Sequence, residues 1–241
     1  MSSVIILDFD KTLFDADAFR GALAGVFARH GISAEDVYAT YAMCKQHHSQ
    51  KWVPEYQIEL LGKKYSQIDS AYLLSNINLL CRASERFVYP DTISFLATLQ
   101  GAGHELHVLS FGDERIQAEK INGCGIAKYL SSVKVTSHKD KSQELHNYLG
   151  KGTKPSAIFI DDNKDILRSV KMRHPFVVTI LMSRDGVGLG NIGSCAGEGK
   201  ICFTGIDYEV SSLEQAQRII DIKNSNYPWI YSLWQKITKK T

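Results

Sequence analysis

The chain has 241 residues, 44% of them hydrophobic, which suits one domain with or without a sizeable insertion and excludes global disorder. A formal net charge of +2 demands neither a nucleic-acid nor a membrane partner, and no nucleic acid is expected. The five cysteines, Cys44, Cys81, Cys124, Cys195 and Cys202, are scattered without a Cys-x-x-Cys pair, which argues against a zinc site and for reduced thiols.

Val4 to Leu7 is a short apolar run rich in β-branched residues, the pattern of a strand buried on both faces. No basic lead precedes it and Asp8 cuts it short, so a signal peptide is not expected. No other apolar run is long enough to span a bilayer, and a cytoplasmic location is the expectation. Helical spacing then dominates from about Ala16 to Ser84. Phe19, Leu23, Val26 and Phe27 mark a first helix. Ser33, with Asp36 three positions on, caps a second. Pro54 starts a third, which carries Ile58, Leu60 and Leu61, and a fourth covers Ile68 to Leu80.

Alternation of the two element types follows. Helices are predicted at Asp91–Leu99, Arg115–Ile121, Ser142–Leu149 and Ile166–Met172, and strands at Leu106–Leu109, Val133–Val135, Ala157–Ile160 and Phe176–Met182. Such alternation predicts an α/β fold: a Rossmann-like parallel sheet with helices on both faces, plus an inserted all-helical segment. The α/β core would comprise residues 1–14 and 88–241, and the insertion residues 15–87. The insertion lies beside the carboxyl end of the first strand, the edge where open α/β sheets bind ligands.

Two acidic clusters follow strands directly: Asp8-Phe9-Asp10-Lys11-Thr12 after the first, and Asp161-Asp162-Asn163-Lys164-Asp165 after Ala157–Ile160. Acids of this kind often only cap helices or form turns. Two such clusters at the carboxyl ends of two buried parallel strands would instead converge at one sheet edge. Buried carboxylates brought together are costly, and a hard cation such as Mg²⁺ would offset their repulsion.

Asp8-Phe9-Asp10-Lys11-Thr12-Leu13 resembles the first motif of the haloacid dehalogenase-like (HAD) superfamily, Asp-x-Asp-x-Thr after a strand. Leu106 to Ser110 resembles the second motif, Lys141 at a helix start the third, and Ile160 to Asp165 the fourth, in which two acids lie four positions apart. The four occur in the superfamily's order, and the core match covers about Met1 to Phe14 and Val88 to Met182. The resemblance implies a magnesium-dependent phosphatase in which Asp8 attacks phosphorus and Asp10 serves as acid and then base. It implies that Asp8, Asp161 and the carbonyl of Asp10 hold Mg²⁺ and that Asp165 binds the metal or its waters, or orients neighbouring groups. Ser110 would hydrogen-bond a phosphate oxygen, Lys141 would offset negative charge, and Thr12 would brace the loop. Lys139 rivals Lys141, and Asp162 could replace or assist Asp165.

Dehalogenase members generally lack an acid at the position of Asp10, because no leaving oxygen needs a proton there. The insertion resembles a cap between the first two motifs, an arrangement that favours a small phosphorylated substrate. A phosphomutase or other phosphotransferase, a tyrosine phosphatase and a non-catalytic binding module are the alternatives. Arg20, Lys45, Lys51, Trp52 and Tyr56 are candidates to face the site from the insertion. Gly188 to Gly193 matches Gly-x-Gly-x-x-Gly, but Ser194 to Gly199 is a poor helix start, and a loop is predicted. Cys44, His47 and His48 read as ordinary helix surface, and Tyr227 to Trp234 as a short aromatic helix packed on the core.

Overall fold

The computed structural model describes residues 2–149, 156–184 and 205–224. The glycine-rich stretch 186–199, the aromatic segment 227–234, Cys195 and Cys202 lie outside the described residues.

Among the described residues, six parallel strands form one sheet in the order β3-β2-β1-β4-β5-β6. They are β1 (Ser3–Leu7), β2 (Glu105–Phe111), β3 (Ser132–Thr136), β4 (Ser156–Asp161), β5 (Val178–Met182) and β6 (Tyr208–Val210). Their side chains alternate between two cores, as the pleat requires. Ile5, Leu7, Leu106, Val108, Ile158, Ile160 and Ile180 share one face with α5 (Thr92–Gly101), α6 (Glu114–Gly123) and α8 (Leu213–Asn224). Val4, Ile6, Leu109, Phe159 and Leu181 pack on the other face against Leu145 and against α7 (Lys164–Arg173).

Between β1 and α5 run four inserted helices: α1 (Ala16–Ala28), α2 (Ala34–His47), α3 (Pro54–Gly62) and α4 (Ser70–Arg82). The sequence signals act as expected locally: the Ser33 hydroxyl caps α2, and Pro54 opens α3. The two chain crossings into the insertion lie side by side. The Asp15 amide donates to Phe87 O at 2.7 Å, and the Tyr89 amide to Leu13 O at 3.1 Å. Phe14, Phe19 and Phe87 pack ring against ring over that junction, with centroids 5.5–5.9 Å apart.

Three local expectations need correction. Residues 142–149 form no α-helix but two 3₁₀ turns, Lys141–Gln143 and Leu145–Asn147. The Ser142 carbonyl, which an α-helix would use, instead accepts from His174 Nε2 at 2.8 Å, and the Ser142 hydroxyl pairs with Ser169 and Arg173. The last central strand begins at Val178, because Phe176 stands 74% exposed. The sheet also continues into β6 and α8, beyond the elements read from sequence.

Candidate active site

The strand order reverses between β1 and β4, which places a crevice at their carboxyl ends. Leu7 pairs with Ile160 in register, so Asp8 and Asp161 emerge from neighbouring strands at the same level. The Asp8 amide donates to Ile160 O at 2.9 Å and ties the start of the loop to β4.

The loop after β1 is tight. Phe9 O accepts from the amides of Thr12, Leu13 and Phe14, and Lys11 takes φ +62° to close the turn. Phe9, Leu13 and Phe14 are thereby buried, and Asp8 and Asp10, on either side of Phe9, are turned to the cleft. Thr12 is fully buried; its carbonyl accepts from Arg184 Nη2 at 2.7 Å, while its hydroxyl has no partner among the described residues.

Lys141 is buried and donates to Asp8 Oδ1 and to Asp161 Oδ2, the latter at 2.8 Å. Burial works against its ammonium charge, but Asp161 and Asp8 together hold its pKa above the ordinary lysine value. Lys139 is exposed at the cleft mouth instead. Oxygens of Asp8, Asp161 and Asp162 lie within 4.8 Å of one another. Burial, then the neighbouring carboxylates, pushes Asp8 well up against the pull of Lys141, and burial with Asp161 brings Asp162 to about 6. Three crowded carboxylates with Lys141 bonded to two of them form a donor set that fits a hard, oxygen-seeking divalent cation. Asp165 stands apart: its carboxylate is 89% exposed and faces Arg168 at 3.3 Å, so Asp162 rather than Asp165 joins the cluster.

Asp10 is held by two residues that sequence reasoning missed. Lys120 Nζ lies 2.6 Å from its Oδ1, and Gln117 Nε2 donates to its Oδ2 at 2.8 Å. Lys120 is buried, with its ammonium 4.7–5.2 Å from the ring centroids of Phe9, Phe14 and Phe19, a cation–π cage. Gln117 also donates to Ser110 Oγ at 2.8 Å. Ser110 Oγ thus accepts from Gln117 and keeps its own proton free to donate, and the next two residues, Phe111 and Gly112, line the cleft. The missed signal is legible on α6. Gln117 and Lys120 occupy its buried stripe beside Ile116 and Ile121, where apolar residues belong.

The cleft has a volume of about 330 Å³ and is walled by both the sheet edge and the inserted helices. Arg20, Lys45, Lys51 and Trp52 line it; Tyr56 stacks on His47 with ring centroids 4.6 Å apart and is not among the lining residues.

A family model for haloacid dehalogenase-like hydrolases matches residues 3–163. No curated protein matches the chain. Among solved structures, YfnB from Bacillus subtilis, described as a HAD-hydrolase and bound to magnesium, superposes with a TM-score of 0.62 at 18% identity, covering 92% of this chain and 99% of that one. A haloacid dehalogenase-like hydrolase from Burkholderia xenovorans gives 0.63 at 19% identity, over 89% and 97% of the two chains. L-2-haloacid dehalogenase from Xanthobacter autotrophicus gives 0.61 at 15% identity, over 92% and 99%. At these identities the likeness shows the fold. The ordered acids at the strand ends and the matched family together give the assignment: this chain belongs to the haloacid dehalogenase-like hydrolases.

Proposed function

We propose that the protein is a phosphatase that hydrolyses phosphate monoesters of small molecules through an aspartyl-phosphate on Asp8. The observation that carries this reading is the second acid, Asp10, held at the cleft two residues beyond Asp8 by Lys120 and Gln117. Halide leaves without a proton, so a dehalogenase has no use for an acid here; an alkoxide leaving group does. The likeness to dehalogenase structures carries the fold and not the reaction.

In this reading an Asp8 oxygen attacks phosphorus as the ester P–O bond breaks. Asp10 acts as the general acid and gives a proton to the leaving oxygen. Lys120 then stabilises the carboxylate left behind, the ion-paired form present in the structure. In the second step that carboxylate takes a proton from the water that attacks the phosphoryl group, and Asp8 is released. Lys141 offsets charge on Asp8 and on the phosphoryl oxygens. Asp8 and Asp161, with Asp162 beside them and the Asp10 carbonyl near, would hold Mg²⁺; Asp165 would act only through the waters of the ion. When bound, that ion would polarise the phosphoryl oxygens and neutralise the carboxylates. Residues 15–87 would act as a cap domain over the core formed by 1–14 and 88–241, closing on the substrate to exclude water.

The test is phosphate release from p-nitrophenyl phosphate with magnesium and with excess chelator, run beside halide release from 2-chloropropionate. Phosphate release that the chelator abolishes, without halide release, supports the reading. Halide release without phosphate release overturns it.

A further inference from the structure

The cleft has two electrostatic ends. The acidic cluster forms its floor. Its mouth is cationic and is assembled from segments far apart in the chain: Arg20 on α1, Lys45 on α2, Lys51 in the connection to α3, and Lys139 in the loop after β3. Arg20 is neutralised by Asp17, which also pairs with Lys11 at 2.9 Å. Among the described residues, Lys45, Lys51 and Lys139 have no carboxylate partner. Lys45 is half-buried, and its ammonium stands 5.7 Å over the Tyr41 ring. Burial, then Arg20 and Lys139, lowers its pKa from the ordinary lysine value against the opposing pull of Asp10, as crowding among cations does.

The backbone is bent to build this mouth. Ser49 and Gln50 both adopt positive φ, +53° and +70°, a conformation that costs non-glycine residues about 1–2 kcal/mol each. That turn carries Gln50, Lys51 and Trp52 back to the cleft, where the Trp52 ring lies 6.0 Å from Tyr41. Half-burial and unpaired charge are both unfavourable for an ammonium group, and an anion at the mouth would offset the charge.

We infer that the substrate carries a second anionic group, a carboxylate or a second phosphate, remote from the phosphate at Asp8 and bound at the mouth by Lys45 and Lys139 with Arg20 and Lys51. This deepens the phosphatase reading and rests on it for which end of the ligand reacts. Tyr41 and Trp52 form the wall along which the body of the substrate lies.

Binding is measured by calorimetry on Asp8→Asn protein with magnesium, using glycerol 1-phosphate, 3-phosphoglycerate and fructose 1,6-bisphosphate. The last two carry the second anion as carboxylate and as phosphate, and their comparison tells which source the mouth prefers. At least one of them binds roughly tenfold or more tightly than glycerol phosphate, as a charge-assisted contact implies. Lys45→Gln added to Asp8→Asn removes that preference, and Lys139→Gln, at an exposed position, reduces it. Equal affinities, no binding of any of the three, or a preference that survives both substitutions overturns the inference. Failure of the phosphatase reading looks different: the wild type releases no phosphate from p-nitrophenyl phosphate or from any of the three while the binding preference stands.

Discussion

Lys141 donates to two buried carboxylates at once, and the worth of that arrangement lies in what its removal leaves behind. Lys141→Met strands Asp8 and Asp161 without their ammonium, a defect of about 3–5 kcal/mol. Thermal melts with and without magnesium read it: the variant melts lower, and added magnesium raises its midpoint by more than that of the wild type. An equal magnesium response in both proteins would argue against a shared cation site. At Asp10 the expected effect depends on the leaving group. Asp10→Asn slows formation of the phosphoryl-enzyme roughly 10²–10⁴-fold from alkyl phosphates, whose leaving oxygen needs a proton, and much less from p-nitrophenyl phosphate, while hydrolysis of the intermediate slows equally for both. Gly112 supports that acid indirectly, because a Cβ there would lie 2.7 Å from Gln117 Cγ. Gly112→Ala is therefore expected to push Gln117 off Asp10 and lower kcat while the protein stays folded, checked by kinetics beside a thermal melt. The acids themselves were legible in the sequence, since each follows a hydrophobic strand directly. Their partners Gln117 and Lys120 were harder to see, because polar residues on a helix read as solvent-facing until the opposite wall is known.

The inserted helices hold one another through small polar constructions. Asp36 on α2 accepts from Lys64 and from the Tyr65 hydroxyl, both just past α3, and from Ser33 Oγ. Those bonds, Lys64 first, draw its carboxyl from the ordinary 3.8 down to about 2. A depressed carboxyl pKa stabilises the fold at pH values above 3.8, and that contribution is lost as the pH falls through 2. Asp36→Asn should therefore lower the thermal midpoint at neutral pH, with the gap to wild type closing between pH 3.8 and 2. A gap that stays constant with pH would remove ionised Asp36 from the account. Helix existence in this region was readable because capping and apolar spacing agree, as at Ser33 and Pro54. The segment 142–149 was not, because bonds from α7 reach Ser142 and override local helical preference. In α8, Leu213, Ala216, Ile219 and Ile220 do recur at helical spacing. The short strand before it, Tyr208–Val210, is only partly buried at the sheet edge and gives little pattern to read.

Across the whole molecule, the insertion meets the sheet layer at two kinds of contact. Gly123, at the end of α6, lets the end of α4 come so close that a Cβ would lie 2.6 Å from the Cys81 and Arg82 carbonyl oxygens. Arg115 on α6 bonds Glu55 and Asn78 of the insertion at 2.5 and 2.9 Å. Gly123→Ala should cost about 1–3 kcal/mol by forcing the two layers apart, read as a lower urea midpoint. The parallel sheet was legible because buried strands appear as unbroken apolar runs; the closeness of the two layers depends on backbone approach, which a sequence pattern does not record. In the proposed mechanism both walls of the cleft present substrate to Asp8, and the most direct test traps the product of that encounter. Enzyme quenched in acid during turnover of a phosphate monoester, then digested and weighed by mass spectrometry, should carry one phosphoryl group on the peptide containing Asp8, and Asp8→Asn protein should carry none. Steady phosphate release with no label on that peptide, or undiminished release by Asp8→Asn, would contradict the account.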